Sequence, residues 1–93
     1  MGHINTQLDN LYTFIKNVAY KDKLQTKLNK IETEIERLDK HIEHFDKLGL
    51  EPFVEFLVED RNKLNLKRIQ TNLKLIEVER EMLEFELMAA TRD

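Results

Sequence analysis

Across 93 residues the chain is strongly interrupted at one place, Leu48-Gly49-Leu50-Glu51-Pro52. Pro52 is its single proline, and the one other glycine is Gly2. A sheet protein needs many turns, so this scarcity of turn-forming residues argues for an all-α chain. Gly49 fits the left-handed position just past a helix end, where Leu50 can fold back on Phe45. Pro52 suits the first turn of a following helix, where its missing N–H costs nothing. The spacing therefore predicts a helix ending near 48, a turn at 49–51 and a helix over about 52–90. So short a connection makes the two helices antiparallel neighbours.

The apolar residues supply the contact between them. Leu24, Leu28, Ile31, Ile35, Leu38, Ile42 and Phe45 alternate spacings of four and three, the seam of a coiled coil. Downstream, Leu66, Ile69, Leu73, Ile76, Leu83 and Leu87 follow the same rule, with Arg80 in the seam between Ile76 and Leu83. Nearer the turn the second helix starts in another phase, with Val54, Leu57 and Leu64. A change of packing is expected between Leu64 and Leu66.

The charges give an independent reading of direction. In an antiparallel hairpin bent at Gly49, facing residue numbers sum to roughly 100, because both helices rise at the same rate. Residues 16–30 hold five Lys and one Asp. They would face a stretch containing Glu77, Glu79, Glu81 and Glu84. Glu32, Glu34, Glu36 and Asp39 would face Arg61, Lys63, Lys67 and Arg68. Exposed pairs of this kind contribute little stability, but they fix register and direction.

The N-terminal third carries its own stripe, Leu8, Leu11, Ile15 and Val18, behind a capping pattern at Thr6 and Asp9. On a straight helix this stripe points roughly 170° away from the Leu24–Phe45 seam. Asp22 with Gln25 could cap a new helix. The expectation is a helix over about 6–20, a break or kink near 20–23, and a second helix over about 23–48.

Residues 73–90 raise a further question, because they are apolar on two sides. Beside Leu73, Ile76, Leu83 and Leu87 runs a second stripe of Leu75, Val78, Met82, Phe85 and Ala89, about 150° round the helix. One stripe serves the hairpin and the other needs a partner, since an exposed apolar stripe is a liability. Either the N-terminal helix folds back to complete a three-helix unit, or a second copy completes a dimeric helical bundle. Small helical units often finish a core by associating. The expected interface is Leu8, Leu11, Ile15 and Val18 with Leu75, Val78, Met82 and Phe85, in a homo-oligomer, most simply a dimer.

Chemistry-bearing patterns are sparse. The chain has no Cys, which excludes disulfides and thiolate chemistry. No serine-hydrolase set, phosphate-binding glycine loop or dinucleotide fingerprint occurs. His41 and His44, three apart, share a helix face, but no third ligand is spaced to join them, so no metal site or cofactor is expected. The glutamates from Glu77 to Glu86 read as a solvated face answering the lysines. A net charge of −3 is the wrong sign for a dedicated nucleic-acid binder. The basic stripes at 16–30 and 61–68 keep a nucleic-acid-associated regulator as an alternative. Phe45, Leu50, Phe53 and Phe56 gather at the turn as an apolar plug, or as a tip that contacts a partner. No apolar run is long enough for a membrane span, and no secretory signal is visible, so a cytoplasmic setting is expected.

The sequence thus describes an antiparallel helical hairpin or coiled coil with an N-terminal helical segment. In shape, not in motif, it is similar to small helical hairpins that regulate larger proteins in bacteria and phages. The expected work is non-enzymatic: docking helix against helix on a protein partner, as a regulator or adaptor. A purely structural assembly subunit is the other non-enzymatic alternative.

Overall fold

The computed structural model describes residues 2–91, with side chains from Gln7 onward. Two helices account for nearly all of it: α1, Gly2–Lys47, and α2, Glu51–Ala90, packed side by side and antiparallel. The result is a rod of 71 × 18 × 14 Å.

The bend forms as the sequence predicts. Gly49 takes φ +73°, a left-handed conformation that a Cβ would strain. The Leu50 N–H donates to the Phe45 carbonyl at 3.1 Å and the Gly49 N–H to the Asp46 carbonyl at 3.0 Å, the paired bonds of a Schellman ending. Pro52 falls in the first turn of α2. The Phe45 and Phe53 rings stack across the bend at 6.0 Å between centroids.

Direction and register follow the charge pattern, with fewer contacts than the blocks allow. Phe14 stacks on Phe85 at 4.7 Å. Lys21 reaches Glu79 at 3.8 Å, Arg61 contacts Asp39, and Asn17 Nδ2 donates to Glu81 Oε2 at 3.1 Å. Among the described residues the other ion pairs lie within one helix: Arg37–Glu34, Lys47–Glu43 and Arg80–Glu84.

Two expectations need correction. The first is the break near 20–23. α1 runs unbroken through Tyr20-Lys21-Asp22-Lys23, and its start lies ahead of Thr6. Asp22 does not open a new helix; its carbonyl accepts the Thr26 hydroxyl at 2.9 Å, within the helix. The N-terminal segment therefore extends α1 and does not fold back as a third helix. The reason is visible in the inward residues. Stepping back from Leu24, the four-and-three spacing continues through Lys21, Asn17, Phe14 and Asn10, each at least half-buried in the interface relative to its neighbours. Lys21 keeps its stem in the seam while its ammonium reaches out to Glu79.

The second correction concerns α2. Its inward residues are Val54, Leu57, Arg61, Leu64, Arg68, Thr71, Leu75, Val78, Met82 and Phe85, one unbroken heptad phase. The expected phase slip between Leu64 and Leu66 does not occur. Val54 and Leu57, just past the bend, set which face meets α1. Beyond Pro52 the helix contains no glycine or proline at which that phase could change. The polar seam residues are accommodated locally. The buried Thr71 hydroxyl donates to the Lys67 carbonyl at 2.8 Å, Arg68 Nε donates to Asn65 Oδ1 at 3.0 Å, and Arg61 turns to Asp39.

The core is correspondingly thin. Leu24, Leu28, Leu75 and Val78 form its centre, with Met82 packed against them and Ile31 buried one turn along.

Candidate docking surface

With α2 held in that phase, its two apolar stripes separate by role. Leu75 and Val78 are buried against α1, and Met82 and Phe85 are half-buried in the same seam. These four, expected to meet a partner, are instead taken up by the chain's own first helix. The stripe expected to face α1 lies outside. Leu66, Leu73, Ile76, Leu83 and Leu87 are each more than half exposed, and Ile69 is 45% exposed. Arg80 occupies the seam position among them and pairs with Glu84 at 3.8 Å along the helix. The outer stripe sits about 150° round α2 from the inner seam, so α1 cannot reach it.

The N-terminal stripe is also on the surface. Leu8 and Ile15 are each 57% exposed, with Leu11 and Val18 less so. In heptad terms this stripe flanks the α1 seam and does not oppose it, at about 100° from the inward direction. By the handedness of the helices, that flank is the one bearing the Lys21–Glu79 pair, and the outer stripe of α2 leans toward it.

At the bend, the four aromatic and aliphatic residues divide. Phe45 is half-buried and Phe53 stacks on it, while Leu50 lies at the margin of exposure. Phe56 is 73% exposed and belongs to no plug.

The basic stretches divide as well. In the 61–68 run, Arg61 and Arg68 turn inward and are held by Asp39 and Asn65, leaving Lys63 and Lys67 outside. In the 16–30 stretch, Lys21 is tied to Glu79 and Lys16 lies over the Tyr12 ring at 5.7 Å, while Lys23, Lys27 and Lys30 stay exposed. One groove of about 390 Å³ runs along these lysines, but α1 alone lines it, so it is a surface furrow and not a site between elements.

His41 and His44 are exposed and lie against the Phe45 ring at 6.5 and 5.7 Å. Among the described residues, no three or more His, Cys, Asp or Glu side chains gather as metal ligands, and no helix is long and apolar enough to cross a membrane. Comparison with known protein families, curated proteins and solved structures yields no match.

Sequence periodicity found both stripes of α2 and exchanged their roles. The signal that would have assigned them is the phase of Val54 and Leu57, carried forward across the polar residues Arg61, Arg68 and Thr71.

Proposed function

We propose that this chain is a non-enzymatic protein-interaction module, a small cytoplasmic regulator or adaptor of the bacterial or phage type. It works by presenting helix faces for other helices to pack on. One observation carries the reading: six aliphatic residues of α2, from Leu66 to Leu87, lie on the surface at coiled-coil spacing. Scattered exposed apolar residues are ordinary, but a seam of them at coiled-coil spacing, here interrupted by Arg80, is the mark of a binding face. The stripe of Leu8, Leu11, Ile15 and Val18 offers a second, shorter face.

The test uses the intact chain, tagged and captured with its partners from the cells that make it. Leu11→Glu with Ile15→Glu should leave the melting temperature unchanged and abolish capture of a specific protein. Retention of every captured protein by this variant and by Ile76→Glu would refute the reading. A second reading, a nucleic-acid-associated regulator, rests on Lys23, Lys27 and Lys30, which are exposed and in no ion pair among the described residues. Duplex binding that falls steeply with added salt would favour it.

A further inference from the structure

We infer that the outer face of α2 pairs with the same face of a second copy of this chain, antiparallel and in a single register. The inference rests on the docking reading above and names the occupant of one of its two faces.

The flanking charges argue for it. Along the outer seam, Leu66, Leu73, Arg80 and Leu87 alternate with Ile69, Ile76 and Leu83. The residues bordering this seam on one side are Lys63, Gln70, Glu77 and Glu84; on the other they are Asn65, Asn72, Glu79 and Glu86. All eight lie outside the α1–α2 core and seven are exposed; of these, Glu79 also reaches Lys21 of α1 and Glu84 pairs with Arg80 along the helix. The border is thus basic or neutral in its first half and acidic in its second. A helix with that asymmetry complements itself only when reversed.

Four ways of pairing two copies differ in the charges they bring together. In a parallel pair, Glu79 of each chain borders Glu84 of the other, and the two Arg80 guanidinium groups meet at one level. In an antiparallel pair with Leu73 level with Leu83 of the second copy, Glu77 faces Glu77 and Glu79 faces Glu79. Shifted by one heptad, Leu66 packs on Leu83 and Leu73 on Ile76 of the second copy. Lys63 then borders Glu84 twice by symmetry, and no glutamate faces another. Arg80 now lies level with Ile69 of the second copy, which holds the two guanidinium groups about 16 Å apart along the axis. A further shift leaves Leu83 facing Glu59. The Lys63–Glu84 register alone covers the seam from Leu66 to Leu83 without like-charge contact. The pairing is isologous, so it closes at two chains.

The test is sedimentation equilibrium of the full chain, with variants at exposed positions whose folding is checked by circular dichroism. The wild type should dimerise. Ile76→Glu should make it monomeric with unchanged helicity. Lys63→Glu should weaken the dimer about tenfold, because two pairs become two repulsions, and adding Glu84→Lys should restore it. The chain has no cysteine of its own, so Asp60→Cys takes a single spin label. Residues 60 of the two copies should then lie about 43 Å apart along the axis, where a parallel pair would bring them within about a helix diameter or two. A chain monomeric at every concentration, a dimer indifferent to Ile76→Glu, or a short 60–60 distance each overturns self-pairing. A monomer that still loses a protein partner on the Leu11/Ile15 change would sink this inference and spare the docking reading. A dimer of this register with no other partner would do the reverse.

Discussion

The inner and outer faces of α2 invert the usual relation between apolarity and burial. Over the middle of the helix the inner face presents Arg61, Leu64, Arg68 and Thr71 to α1. The outer face presents Leu66, Ile69, Leu73 and Ile76 to solvent. Over this middle stretch the outer stripe is the more apolar of the two. The inner one is used because a helix without a breaker cannot change phase midway, and both of its ends commit it to the inner side: Val54 and Leu57 by the bend, and Leu75, Val78, Met82 and Phe85 toward the open end. Burial is decided for the helix as a unit, not residue by residue. What is left over on the far side is surface with the pattern of an interface.

The two faces should respond most differently at Leu75 and Leu73, two residues apart on opposite sides of α2. Leu75→Ala, in the core centre, should cost about 2–4 kcal/mol in urea unfolding of dilute protein. Leu73→Ala should cost less than about 0.5 kcal/mol under the same conditions. Equal losses would mean that the faces are assigned wrongly. The bend that sets the phase gives the next effect. Gly49→Ala meets no neighbouring atom within 4 Å, so its cost is that of the left-handed backbone alone, about 1–2 kcal/mol. A larger loss would show that the altered bend also disturbs the α2 phase.

Arg68→Leu sharpens the contrast in the opposite sense. An aliphatic side chain at the level of Ile31 should stabilise the hairpin by about 1 kcal/mol, read from the denaturation midpoint. No gain would mean that the Arg68–Asn65 contact contributes more than its exposure suggests. Smallest is Asp39→Asn, which removes the carboxylate from Arg61. Both partners are more than two-fifths exposed, so the loss should be about 0.5 kcal/mol and should shrink with added salt.

Part of this was legible in the residues themselves. Gly49 and Pro52, with no competing breaker, require a hairpin, and the alternation from Leu24 to Phe45 marks the face of α1 that must be covered. Charge blocks indicate direction, and the contacts of Lys21 with Glu79 and Arg61 with Asp39 bear that out. The apolar outer stripe was also found, though as the hairpin seam. The continuity of α1 and the face chosen by α2 were hidden for a common reason. Both depend on polar or charged residues filling seam positions: Asn10, Asn17 and Lys21 on one helix, Arg61, Arg68 and Thr71 on the other.

Local features specified an antiparallel helical hairpin, its bend and four apolar stripes, because helical period and turn chemistry are local properties. Which stripe is core and which is surface emerges only when the two helices pack. That choice is collective. It is set by the phase imposed at the bend and propagated along a rigid helix, and long polar side chains can occupy seam levels while their heads reach water.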